Sequence, residues 1–407
     1  MTLYTRKYIV GSKMGHRKYI KEFSKLLIDE QQHNIMALVG NGFDIQVLNF
    51  LNKNIKTSYY DFYNFLVWQK IDDSNILFNQ MKSMKNKYEK DPEINHNLQN
   101  WSDFESGIIS IFNDRWVRYS DLEDSLEELR SYFSIFLNEV VTPEVNNNLG
   151  KHAQENSLAN NTFQKFLGDL SDDDIVKCEF SKKTNHYNLY NWQIFNFNFT
   201  SLLDNYMYLD RKQFSPEPHK TVDTNYKFYP NPRSVDDKMI SSNGDTVWSS
   251  YIMSNVVHPH GYQNVPKSML FGVNSQNQIR SVGGRELNSF VKPYWAQNDL
   301  KYAHLFEDTD LYIIFGMSLG VTDQWWWRKI VDSLEMSDSE LILYNYCRSA
   351  SEVLQETVKE QFMDASGWVG EDTRKSHIMD KIYVVNFDNN TPRFAFSMIP
   401  YSEAQLI

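Results

Sequence analysis

The chain has only two cysteines, Cys178 and Cys347, in 407 residues. They are too few and too far apart for a disulfide framework or a thiolate metal cluster, and they fit a reducing compartment. No uninterrupted apolar stretch approaches the roughly 20 residues that a membrane-spanning helix needs. The opening "MTLYTRKYIVGSKMGHRKYIKEF" is basic, but it lacks the apolar centre and small-residue cleavage site of a secretory leader. These absences set the expectation of a cytoplasmic chain with no membrane partner. Positive charge is also short: 41 Lys and Arg face 52 Asp and Glu, for a formal net charge of -11. Such a balance repels phosphate backbones at long range and argues against non-specific nucleic-acid binding. Internal repeats and low-complexity tracts are absent as well.

What the chain has is aromatic: 15% of it is Phe, Trp or Tyr, which rules out a disordered acidic chain. Its length permits a large core, in one large domain or two. Apolar runs at 35–39, 192–198, 251–257, 311–316, 341–346 and 381–387 read as strands, with helical patterns between several of them, at 43–53, 60–69, 322–335 and 351–363. Strands alternating with helices predict an α/β fold: a Rossmann-like, mostly parallel sheet flanked by helices.

Residues 72–170 read as nearly all helix. Leu122, Leu126, Leu129, Phe133, Phe136 and Val140 recur at steps of three and four on one face, with Ser120 and Glu123 as a capping box and Thr142-Pro143 as the stop. Trp101, Phe104, Ile108, Phe112 and Trp116 form a second stripe, capped by Ser102 and Glu105. The organisation expected is a helical extension over 1–33, a Rossmann-like core over 34–70 and 186–400, and a helical insertion over 71–185. Residues 17–32 read as a helix, and 207–250 as a long irregular excursion of the kind that forms lids.

The unusual residues fall at strand ends. Gly40-Asn41-Gly42 follows the first strand, Asn196-Phe197-Asn198-Phe199-Thr200 closes the second, His258-Pro259-His260-Gly261 the third and Gly316-Met317-Ser318-Leu319-Gly320 the fourth. In a parallel sheet all four turns gather at the carboxyl edge, where open α/β folds bind ligands. Each turn has two readings. Gly40 and Gly42 either shape a tight turn or let backbone amides approach a phosphate. Asp44 either favours a helix dipole or bonds a ribose hydroxyl. Phe195, Phe197 and Phe199 alternate as a core face, which leaves the amides of Asn196 and Asn198 on the other face, in need of partners. Thr200 reads as a helix N-cap, Asp323 as the cap of the helix after the fourth turn, and Trp325–Trp327 as core packing. His260, beside Gly261, reads as a general base or as a structural hydrogen-bonding ring. No Cys pair or Glu-x-x-His element completes a site around His258 and His260, so no metal is expected. A metal-dependent nuclease would require Asp44, Asp61, Glu105 and Asp323 to converge, and none of the four lies in a D-x-D or E-x-K element.

Taken together, "LVGNGFD", "SYYDF", "WSDFE", "FNFNFT", "HPHG" and "IIFGMSLGVTD" resemble the AbiH family of bacterial abortive-infection proteins over roughly residues 35 to 330. More distantly, these motifs are similar to those of sirtuins and sirtuin-like NAD hydrolases. That resemblance implies NAD as substrate, with no resident prosthetic group, and cleavage of its nicotinamide–ribose bond. Gly40 and Gly42 match the phosphate turn, Asn198 the central asparagine of T-x-N-x-D, His260 the catalytic histidine, and Gly316 and Ser318 the adenosine-side turn. Asn41, Asp44, Asn196 and Asp323 would join the nucleotide site, as would Asp61 and Phe62, where sirtuins have P-D-F-R. Thr200 replaces the aspartate of T-x-N-x-D, Asn41 replaces a small residue, and there is no zinc-binding Cys quartet. A toxic activity would be restrained before infection by a homo-oligomer or a lid, and released by a phage-derived trigger. A protein that senses a nucleotide or phage component without catalysis is the alternative.

Overall fold

A computed structural model describes residues 31–93, 100–114, 117–210, 213, 224–233, 247–275, 290–347 and 353–400. Most of the helix expected over 17–32, together with Trp116 and much of 207–250, lies outside the described residues. Gln32 already belongs to a strand. Its polar start is tolerated because the amides pair: Gln32 Nε2 donates to Asn34 Oδ1 at 2.8 Å, and Asn191 Nδ2 to the same oxygen at 2.8 Å.

Seven strands form one sheet: β1 Gln32–Val39, β2 Leu189–Asn196, β3 Tyr226–Phe228, β4 Trp248–Val257, β5 Leu311–Phe315, β6 Glu340–Tyr346 and β7 Ile382–Phe387. Their order is β3-β4-β2-β1-β5-β6-β7, and every neighbouring pair is parallel except β3 with β4. Without β3, the six parallel strands run 3-2-1-4-5-6 in chain rank, the order of Rossmann dinucleotide-binding sheets. The order reverses between β1 and β5, so the crevice at their carboxyl ends is where such a sheet takes a ligand.

The described helices of eight or more residues, with the six-residue α8 that follows β2, are α1 Asn41–Phe50, α2 Tyr59–Gln69, α3 Ile76–Lys90, α4 Phe104–Asp114, α5 Tyr119–Val140, α6 Pro143–Glu155, α7 Leu158–Lys165, α8 Leu202–Met207, α9 Gln324–Met336, α10 Gln355–Ser366 and α11 Asp372–Met379. The strand period of two divides the core into two layers. Ile35, Ala37 and Val39 pack with α1 and the α3–α7 helices; Met36 and Leu38 pack with Trp326, Trp327, Ile330 and Phe362 of α9 and α10. The expected stripe on α5, from Leu122 to Val140, is buried throughout.

Several local expectations are corrected. The excursion contributes the edge strand β3, whose Tyr226 and Phe228 are buried against Ser250 and Trp248 of β4. Helix α5 begins at Tyr119, so Ser120 lies inside its first turn and makes no capping box. Thr142 does not only stop α5; its side chain caps α6, with Pro143 in the first turn. Asp103, not Ser102, accepts the leading amides of α4, from Glu105 N at 3.1 Å and Ser106 N at 3.4 Å. Phe199 leaves the phenylalanine face because β2 ends at Asn196; it packs on Phe133 and Phe271, while Phe195 and Phe197 pack on Trp326.

Candidate functional site

The four turns meet, as parallel register requires. Val39 pairs with both Asn196 and Phe315, and Phe195 with Val257, so the chain leaves each strand at the same edge. Together they bound a cleft of about 440 Å³. Gly40, Asn41, Gly42, Asp44, Asn198, His260, Gly316, Ser318 and Asp323 all line it. Tyr59 and Tyr60 of α2, Glu105 of α4 and Phe133 and Leu137 of α5 form the opposite wall. The helical segment thus roofs the switch point.

Three expected residues lie elsewhere, among them Phe62, which is buried in the core against Phe133 and Phe136. Asp61 sits in the first turn of α2, which Ser58 caps; it accepts from Ser58 Oγ at 2.8 Å and Lys56 N at 3.1 Å, and lines a separate groove with Trp68 and Phe136. The extra residues between the glycine turn and "YYDF" carry that carboxylate away from the cleft. Asn196 is fully buried behind Asn198: its Oδ1 accepts from Asn198 N at 3.0 Å, and its Nδ2 donates to Asp204 Oδ2 at 3.0 Å.

The glycine turns interlock. Gly40 N donates to Phe315 O at 2.9 Å and Gly42 N to Gly316 O at 2.8 Å. Those two amides are therefore occupied by the neighbouring strand's turn, and a phosphate at this point would have to meet other groups. Asn41 is a loop anchor: Nδ2 donates to Thr57 O at 3.0 Å, and Oδ1 accepts from Thr57 Oγ1 at 2.6 Å. Asn198 is held on three sides. His258 Nδ1 contacts its carbonyl at 3.0 Å, Asn196 takes its amide, and its own Nδ2 donates to Gly40 O at 3.2 Å. That last bond orients the side-chain amide and leaves Oδ1 as the acceptor.

Thr200 does not cap α8. Its hydroxyl donates to Asp44 Oδ2 at 2.6 Å, while Asp44 Oδ1 is buried without a partner. Burial pushes the Asp44 carboxyl up to about 7; the Thr200 hydrogen bond opposes this and the nearby Asp204 charge adds to it.

The group that sequence reasoning missed is Lys292. It opens a single helical turn, Lys292–Trp295, and is 4% exposed. Its ammonium donates to Glu105 Oε2 at 2.9 Å and to Asp323 Oδ1 at 2.8 Å. Tyr59 OH donates to the other Glu105 oxygen at 2.7 Å, and His260 Nε2 lies 3.6 Å from Asp323 Oδ1. Glu105 and Asp323 are thus drawn from their expected capping roles into one buried chain. Burial lowers the Lys292 ammonium, but Asp323 and Glu105 outweigh it, and the net shift is upward. Burial raises Asp323, yet Lys292 and His260 hold it below the usual carboxylate range. For Glu105 burial wins over Lys292, and its carboxyl is raised. Burial, followed by the Lys292 charge, pushes His260 down to about 3 against the pull of Asp323, so its imidazole is neutral at neutral pH. The only available signal was a lysine inside the aromatic run "FVKPYW".

Among the described residues no three His, Cys, Asp or Glu side chains gather as metal ligands; the cation between Glu105 and Asp323 is Lys292. A second cavity, of about 520 Å³, opens across the Gly42–Gly316 contact and shares Gly42, Ile45, Gly316, Met317 and Ser318 with the first.

These features define an α/β protein with a Rossmann-ordered sheet and a helix-roofed, two-lobed cleft at its switch point. A family model, bacteriophage abortive infection AbiH, matches residues 36–346, and the chain belongs to that family. Its membership implies a role in abortive infection by bacteriophage. No curated protein matches the chain. No helix among the described residues is long and apolar enough to cross a membrane.

Proposed function

We propose that the protein acts in abortive infection as an NAD glycohydrolase, cleaving the bond between nicotinamide and ribose. The observation that carries this reading is the convergence of Asn198, His260 and the Gly316–Ser318 turn on one cleft whose two lobes differ in charge. Among the described residues the first lobe carries Asp44, Asp103, Glu105 and Asp323 against one cation, Lys292. An acidic site suits a cationic pyridinium and the oxocarbenium-like charge that develops on the ribose. The second lobe, reached past Ser318, would take the adenosine half.

In the reaction a water oxygen bonds to ribose C1′ as the C1′–N bond breaks, and that electron pair neutralises the departing nicotinamide. Asn198 Oδ1 orients the water or a ribose hydroxyl. The attacking water gives up a proton as it bonds, to the neutral His260 and from there to solvent, with Asp323 at 3.6 Å steadying the imidazolium. The sirtuin-type aspartate, absent at Thr200, has a counterpart in Asp44, whose carboxyl meets the Thr200 hydroxyl. A phage-derived trigger would release the activity.

One observation favours the sensing alternative: the amides of Gly40 and Gly42 are already bonded to Phe315 and Gly316. The discriminating experiment incubates purified protein with NAD, with and without lysate of infected cells, beside Asn198→Ala and His260→Ala. Nicotinamide release lost by about a hundredfold or more in both variants supports catalysis. NAD-dependent thermal stabilisation without release points to a sensor.

A further inference from the structure

The second lobe holds a buried charge that no described carboxylate pairs with at contact distance. Arg393 lines that cavity and is 5% exposed. Its guanidinium lies 4.2 Å over the Phe387 ring and 5.3 Å from that of Phe315. Nε donates to Ala395 O at 3.2 Å; Nη2 donates to Phe396 O at 3.3 Å and to Gln46 Oε1. Every partner is a neutral oxygen. Among the described residues no carboxylate comes within ion-pairing distance of it, and Nη1 has no hydrogen-bond acceptor. Asp169, the acidic group that faces it from further off, is taken up by the amides of Phe394 and Ala395 and the hydroxyl of Tyr344, at 2.6, 2.9 and 2.9 Å. The one carboxylate among the described lining residues, Asp388, turns its Oδ1 to Asn390 N and Thr391 Oγ1 within its own loop.

A buried cation is costly unless something neutralises it. A guanidinium with an open fork beside a cavity is suited to phosphate oxygens. We infer that Arg393 is the anion-binding group of this cleft and receives the diphosphate of a nucleotide ligand that spans the two lobes. The assignment rests on the nucleotide reading above and deepens it, since the amides of Gly40 and Gly42 are engaged elsewhere. The cleft then matches such a ligand end to end, with its acidic lobe toward a cationic ring and Arg393 toward the phosphates.

The test measures binding of pyrophosphate, ADP-ribose and the uncharged adenosine to wild type, Arg393→Gln and Gln46→Glu by calorimetry. Gln46→Glu keeps the guanidinium in place and sets a carboxylate against it, so it guards against a fold defect in the first variant. Both variants are expected to weaken pyrophosphate and ADP-ribose by tenfold or more, about the worth of a charged hydrogen bond, and to leave adenosine unchanged. Wild-type affinity for pyrophosphate in both variants, or no pyrophosphate binding to wild type, overturns the assignment. If NAD is cleaved with unchanged KM in both variants, the hydrolase reading stands and this one falls. If the anions bind through Arg393 and NAD is never cleaved, the reverse holds.

Discussion

The amide of Gly42 donates to the carbonyl of Gly316 at 2.8 Å, tying the turn after β1 to the turn after β5. The two backbones are so close that a Cβ on Gly42 would sit 2.7 Å from Gly316 Cα. Gly316 has φ of +65°, and a Cβ there would lie 2.8 Å from Phe43 N. Neither contact is the movable end of a side chain, so the turns must part to admit a methyl group. Gly42→Ala and Gly316→Ala are each expected to lower stability by about 1–3 kcal/mol, read by denaturant unfolding. Both should also loosen ligand binding, because the two cavities meet at this contact.

Lys292 ties the helical roof to the sheet edge. Removing it leaves Glu105 and Asp323 buried and facing one another without a cation. Lys292→Met is therefore expected to cost about 3–5 kcal/mol. The triple variant Lys292→Met with Glu105→Gln and Asp323→Asn should recover much of that loss, since the uncompensated charges go with the lysine. Equilibrium unfolding of the two proteins checks the difference.

Asp44 gives a stability signature with a definite sign. Its carboxyl is raised from 3.8 to about 7 in the fold, so the folded state holds a proton that the unfolded chain releases. The favourable contribution is complete below pH 4 and is lost as the pH rises through 7. For a shift of about three units this amounts to about 4 kcal/mol. Asp44→Asn keeps an acceptor for Thr200 without the titration. Its stability relative to wild type should rise between pH 4 and 8 in matched urea titrations, and parallel profiles would count against a buried titrating Asp44.

His260 carries the opposite sign. Its imidazole is lowered from 6.5 to about 3, so its contribution is present above pH 6.5 and lost as the pH falls toward 3. The pH–rate profile of the wild type should accordingly show no acid limb near 6.5 from this ring. Because Lys292 is one cause of the depression, a folded Lys292→Met protein should show that limb moved upward. An acid limb near 6.5 that disappears in His260→Gln would contradict the geometry.

The sheet was legible because buried parallel strands are apolar runs, and the α5 stripe because one helical face is buried. The cleft was legible from position alone: four unusual turns at strand ends must meet if the strands are parallel. Cap assignments failed where tertiary partners were stronger. Glu105 and Asp323 sit where local pattern asks for caps, yet each turns to Lys292, more than 180 and about 30 residues away. The tie between Gly42 and Gly316 spans two turns with no shared local pattern. Strand β3 was hidden because three residues, "YKF", exist as a strand only through Ser250, Ser249 and Trp248 opposite.

The central claim is tested most directly by chromatography of purified protein incubated with NAD in one tube and NADH in another, each with and without lysate of infected cells. The account predicts nicotinamide and ADP-ribose in equal amounts from NAD under the activating condition. It predicts no corresponding product from NADH, whose ring lacks the positive charge that the acidic lobe and the leaving group require. NAD left intact under every condition would contradict it.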